Sequence, residues 1–129
     1  MKINNFKELE IWKSAVDLTK EIYISTSSQY FQKDYSLKDQ IRRAAISVSS
    51  NIAEGFERNN NNEFIQYLKI AKGSIGELRS QLYVAKEIEY LPQTKYLSLD
   101  SQLHILSLQI GKFLSYLKNL KRKEEFPKQ

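Results

Sequence analysis

With 129 residues and a net charge of +5, the chain is long enough to bury one core without staples, and its pI near 9.3 favours an anionic partner. It has no cysteine, which excludes a disulfide framework, thiolate chemistry and a cysteine-type zinc site. Four glycines and two prolines favour long helices over many short strands, and no apolar run approaches a membrane span. The polar residues 1–8 have no apolar signal core.

The apolar period predicts four helices in one domain, 1–129. The first covers about 7–27. Leu9, Trp12, Val16, Thr19 and Tyr23 form one stripe, and Ile11, Ala15, Leu18 and Ile22 form a second beside it. Asn5 followed by Glu8 fits a capping box at its start. A Ser/Thr/Gln cluster then weakens the helix. The second helix, about 36–57, starts near Ser36 with Asp39 as a weaker capping partner. Its inner face is Leu37, Ile41, Ala44, Val48 and Ile52. Four asparagines at 59–62 make the clearest turn in the chain, and Asn60 with Glu63 repeats the capping pattern.

The third helix, about 61–91, is the most regular. Phe64, Leu68, Ala71, Ile75, Leu78, Leu82 and Ala85 alternate by four and three, and Pro92 ends it. The fourth, about 94–121, carries Tyr96, Leu99, Leu103, Leu106, Ile110, Phe113, Leu117 and Leu120 at heptad spacing. A charged tail occupies 122–129. Long helices with short connections predict an all-α, antiparallel up-down-up-down four-helix bundle. Helix 4 carries Ile105 and Leu108 off its main seam, and helix 1 has two stripes. The excess points either to a wide core-facing sector or to a subunit interface.

Helix 2 is thin and polar at once. Ala44, Ala45, Ser47, Ser49, Ser50, Ala53 and Gly55 let other helices approach, while Arg42, Arg43, Asn51 and Glu54 bring strong donors and acceptors to a partly buried surface. Helical spacing aligns Arg43, Ser47, Asn51 (or Ser50) and Glu54, and Ser74, Glu77 and Gln81 form a similar line on helix 3. A hydrogen-bond network that fixes register fits this pattern better than catalysis. Gly73 and Gly76 each cost about 1 kcal/mol relative to alanine in a helix, so a packing reason is expected for them.

Ile65, Lys69, Lys72, Gly76, Arg79, Tyr83, Lys86 and Tyr90 fall on one outer ridge of helix 3. Four bases with interleaved aromatics suit a phosphate backbone, and a solvated helix face is the competing reading. Lys118, Lys121, Arg122 and Lys123 close helix 4, where positive charge also suits the helix dipole. Catalytic signals are poor. The lone His104 lacks the paired Glu-x-x-His motifs of a di-iron bundle, and no strand precedes Gly73-Ser74-Ile75-Gly76. Neither a metal site nor a cofactor is predicted.

Three blocks, taken together, resemble a known family. Phe6, Lys7, Glu8, Leu9, Glu10, Ile11, Trp12, Lys13, Ser14 and Ala15 resemble its opening. Gln40, Ile41, Arg42, Arg43, Ala44 and Ala45, then Ser47, then Asn51, Ile52, Ala53, Glu54 and Gly55 resemble its signature. Phe64, Ala71 to Ser74, Glu77 and Leu78 resemble its second block. This is the four-helix bundle family that includes proteins encoded in intervening sequences of bacterial 23S ribosomal RNA genes. The match covers about 6–91, and helix 4 matches in pattern. Glu89 departs from the glycine common before Tyr-Leu.

The resemblance implies a bacterial cytoplasmic bundle that assembles as a ring, typically a homopentamer. Relatives include accessory proteins of diversity-generating retroelements, which bind nucleic acid and a reverse transcriptase. It makes Arg42, Arg43, Asn51, Glu54, Gly55, Ser74 and Glu77 determinants of fold and assembly. The expectation is therefore a non-enzymatic homo-oligomer that binds RNA or DNA through its lysines and arginines, or serves a nucleic-acid enzyme. The alternative is a protein-interaction scaffold whose charge only keeps it in solution.

Overall fold

An amphipathic helix leaves its apolar stripe uncovered until a neighbour packs on it, and here four such stripes cover one another. In the computed structural model, the backbone is described for residues 3–125 and the side chains for residues 3–120. Four helices follow in order: α1 (Glu10–Ser25), α2 (Tyr35–Glu57), α3 (Asn61–Glu87) and α4 (Gln93–Glu125), and there is no strand among the described residues. Each supplies fully buried side chains to one core, among them Ile22, Ile52, Leu68, Ile75, Leu103 and Ile110. Burying a side chain of this size contributes roughly 1.5–3 kcal/mol. Phe31, on a short 3-10 turn between α1 and α2, plugs one end of the core and meets the Tyr90 ring at 5.2 Å.

Side-chain pairings place the helices. Thr19 bonds the Ala45 carbonyl and Arg42 bonds Thr26 between α1 and α2. Ser47 meets Ser74 and Glu54 meets Tyr67 between α2 and α3. Phe64 meets Phe113 and Tyr83 meets Tyr96 between α3 and α4. Lys95 of α4 reaches Glu21 of α1 at 2.9 Å. On α1, Ile11, Ala15, Leu18 and Ile22 are buried, and Trp12 packs partly buried at the core edge. The second stripe thus faces the core, and the first, half-buried at Val16, Thr19 and Tyr23, runs along its edge.

The helix ends depart from the expected bounds: α1 ends at Ser25 rather than about 27, and α4 runs on to Glu125, past the expected end at 121. The Asn5–Glu8 capping box does form, but on a 3-10 turn over Phe6–Glu8. Leu9 then turns extended (φ −74°, ψ 125°) to bury its side chain, and α1 starts afresh at Glu10. At α2 the cap is Asp34, not Ser36: its carboxylate accepts from the Leu37 amide at 3.1 Å, because a carboxylate at this position binds a free amide and favours the helix N-terminus. Asp39 pairs with Arg43 instead.

At α3 the Asn60 side chain accepts from the Glu63 amide at 3.0 Å as expected, with Asn59 left-handed at φ 53° to make the turn. The helix closes at Glu87, four residues before the expected end at 91. Glu89 is left-handed at φ 65°, the Tyr90 amide donates to the Ala85 carbonyl at 2.8 Å, and the Glu89 amide donates to Lys86 at 3.0 Å. This paired closure stops the helix before Pro92 is reached. Glu89 therefore occupies a conformation that glycine adopts freely.

Candidate nucleic-acid interface

Arg42 and Arg43 are neighbours in sequence with different fates. Arg42 lies over the Tyr23 ring at 4.3 Å and donates to Thr26 Oγ1 at 2.9 Å, the Tyr23 carbonyl at 3.2 Å and Ser27 Oγ at 3.1 Å. It caps the C-terminus of α1, where free carbonyls and the helix dipole favour a cation. Arg43 points outward and pairs with Asp39 at 2.7 Å on its own helix.

The polar line on α2 divides into two clusters. In the first, Asn51 Nδ2 donates to the Ser47 carbonyl at 2.7 Å and to Ser47 Oγ at 2.9 Å, and the Ser47 and Ser74 hydroxyls share a hydrogen bond at 2.9 Å. In the second, Arg58 donates to Glu54 at 3.2 Å and to the Tyr67 hydroxyl at 2.6 Å, which in turn donates to Glu54 at 3.2 Å. Hydrogen bonds to Glu54 and Tyr67 raise the Arg58 pKa. Gly55 lies beneath this second cluster. A Cβ there would fall 2.6 Å from Tyr67 Cβ and 2.9 Å from Phe64 Cδ1, so only glycine lets α3 come this close. Glu77 is exposed and stands outside both clusters. Sequence reading missed Arg58 and Tyr67, although Arg58 follows Glu54 by one helical turn.

The basic ridge of α3 splits in the middle. Ile65, at its start, is buried at 5% exposure and belongs to the core. Lys69 and Lys72 are exposed, and the Lys72 chain runs over α4, its Cε 3.6 Å from where a Cβ on Gly111 would stand. Arg79 is occupied. Its Nε and Nη2 bind the two Asp100 oxygens at 2.8 and 3.2 Å, and this bond raises its pKa. Arg79 Nη1 lies 3.3 Å from His104 Nδ1, so the lone histidine flanks an ion pair.

Lys86 is occupied too. Its ammonium sits 4.3 Å from the Tyr83 centroid and 5.4 Å from that of Tyr96, and 3.5 Å from Glu87. Tyr83 donates to Glu87 at 2.9 Å, which raises the phenol pKa. A cleft of about 470 Å³ beside the α3–α4 connection is lined by Lys86, Glu87, Glu89, Tyr30 and Tyr90. Its two carboxylates oppose a phosphate there.

On α4, Lys118 is exposed. The Phe64–Phe113 contact brings its half of α4 to the half of α3 that carries Lys69 and Lys72. Among the described residues none of these three lysines has an ion pair. The side chains of Lys121, Arg122 and Lys123 lie outside the described residues. Among the described residues no group of three His, Cys, Asp or Glu could hold a metal ion, and no helix is long and apolar enough to cross a membrane.

A four-helix bundle whose polar clusters brace helix packing is the class this fold defines. Residues 7–112 match the family model of the 23S rRNA-intervening sequence protein, and the chain belongs to that family. A crystal structure of a protein of unknown function from the S23 ribosomal protein family of Bacteroides thetaiotaomicron VPI-5482 is similar to it. The TM-score is 0.74 at 20% identity, over 81% of this chain and 97% of that one, and this likeness carries the fold alone. No curated protein matches.

Proposed function

We propose that this chain is a non-enzymatic, cytoplasmic, homo-oligomeric bundle that binds RNA or DNA through Lys69, Lys72 and Lys118, alone or as an accessory to a reverse transcriptase or other nucleic-acid enzyme. Its bundle is antiparallel, up-down-up-down, and it assembles as a ring of about five copies. The family resemblance supports the ring. The order of the cross-helix pairings supports the antiparallel course: Thr19 with Ala45 but Thr26 with Arg42, and Ser47 with Ser74 but Glu54 with Tyr67.

One observation carries the binding surface. Lys69 and Lys72 on the first half of α3, and Lys118 on the half of α4 that packs there, are exposed without acidic partners among the described residues, while Arg79 and Lys86 are held by neighbours. An unpaired ammonium can release a counterion to a phosphate, and a paired one must first leave its partner. A ring presents several copies to one strand, so a weak patch gains avidity when the strand spans them.

Titration against labelled single-stranded RNA and duplex DNA, at low and at physiological salt, tests this. Binding that falls steeply with salt is expected. No binding even at low salt would overturn it, and leave a protein-interaction scaffold whose charge serves solubility.

A further inference from the structure

Two helix faces remain uncovered by this chain, and they match each other. On α3, Ile70, Gly73, Glu77, Ser80 and Val84 recur by three and four and are all exposed. Gly73 and the adjacent Gly76 sit in the middle of a long helix, and among the described residues nothing lies within 4 Å of a Cβ built on either. Two interior glycines cost a helix about 2 kcal/mol together relative to alanine. No described residue supplies a packing contact that would offset this cost. Gly55 shows the contrast, because there Tyr67 and Phe64 fill the space.

On α4, Leu97, Ile105 and Leu108 form a raised apolar stripe, 54%, 51% and 54% exposed, and it continues into the exposed Lys112. The α3 face is low at Gly73, between the exposed Ile70 and Glu77. At 1.5 Å per residue, Ile105 to Lys112 spans about 10 Å, as does Ile70 to Glu77. Leu108 and Lys112 are one turn apart, as are Gly73 and Glu77. Neither Glu77 nor Lys112 has an ion pair among the described residues. Within the chain, α3 and α4 meet on other sides, through Arg79 and Asp100 and through Lys72 and Gly111.

We infer that the glycine face of α3 is the seat for the Ile105–Leu108 ridge of α4 from a second copy, with Leu108 over Gly73 and Glu77 set against Lys112. This rests on the homo-oligomer reading above and names its contact. The two faces differ, so the contact is heterologous. Each copy offers a seat on one side and a ridge on the other, and such contacts close into rings. Helix axes approach more closely where glycine replaces a larger residue, and the apolar ridge leaves water.

The test is the mass of the full chain in solution, measured by light scattering at several dilutions, for the parent protein, Gly73→Leu and Leu108→Lys. Leucine at an exposed helix position favours the helix, and circular dichroism checks that both variants stay folded. The parent protein is expected well above its 15.1 kDa chain mass, and each variant at the chain mass. Gly73→Leu keeps its ridge and Leu108→Lys keeps its seat, so mixing the two should give a dimer of twice the chain mass. Should either variant lose its helical signal, Glu77→Lys and Lys112→Glu replace the pair: each alone lowers the mass and the double change restores it.

An oligomeric parent with unaffected variants, or variants that stay monomeric when mixed, overturns this contact alone. A monomeric parent overturns the homo-oligomer reading with it. The measurement contains no nucleic acid, so its outcome is independent of the titration.

Discussion

The two halves of α3 use the same residue types in opposite ways. Before Gly73, the helix presses against α2 over Gly55 and holds Lys69 and Lys72 out to solvent. After it, Arg79 is bonded to Asp100, Lys86 is held by two tyrosines and Glu87, and a left-handed Glu89 ends the helix. A base in the first half is a free cation, and a base in the second half is part of the packing. Spacing along a helix therefore does not identify a binding surface, because the neighbouring helix decides which charges are already matched.

The largest expected effect separates the halves as binding surfaces. Replacing Lys69, Lys72 and Lys118 with Gln should weaken nucleic-acid binding and reduce the salt slope by about three. The same change at Arg79 and Lys86 should reduce it by less than about one, as measured by titration at several salt concentrations. Equal losses from the two sets would erase the distinction.

Gly55→Ala tests the close approach in the first half. The added methyl meets Tyr67 Cβ, which cannot swing away as a side-chain tip can. Overpacking of about 1–3 kcal/mol should exceed the gain of about 1 kcal/mol in helix propensity and lower the thermal midpoint. A midpoint at or above that of the parent would show that the helices separate freely there.

In the second half, Arg79→Met should leave Asp100 half-buried without its partner. Both groups keep some contact with water, so the loss is discounted to about 1 kcal/mol, read by urea denaturation. Glu89→Gly acts in the other direction. Removing the side chain from a left-handed position should raise stability by about 1 kcal/mol in the same assay. A loss of stability would mean that the Glu89 side chain contributes more than its conformation costs.

Arg58 illustrates why part of the site was hidden in the sequence. It precedes the asparagine turn and looks like another surface base. Its role follows from Tyr67, across the turn on the next helix, whose hydroxyl joins it to Glu54. Arg79 hides in the same way. Its partner Asp100 lies 21 positions away on α4, at a spacing set by the turn and by the rotation of both helices. The Ser47–Ser74 contact was more legible, because small polar residues recur at helical spacing on both helices.

The sequence by itself determined the four helices, their apolar faces, the Asn60 cap and the family blocks. These depend on neighbours three and four residues apart, and the helix brings such neighbours together whatever surrounds it. Only the tertiary structure decided that Arg42 caps α1, that Asp34 begins α2, that Glu89 turns left-handed, and which lysines stay unmatched. It also separated a glycine crowded from within, Gly55, from two that face open space. Those outcomes depend on how each helix is rotated and slid against the next, and that follows from packing the whole core at once.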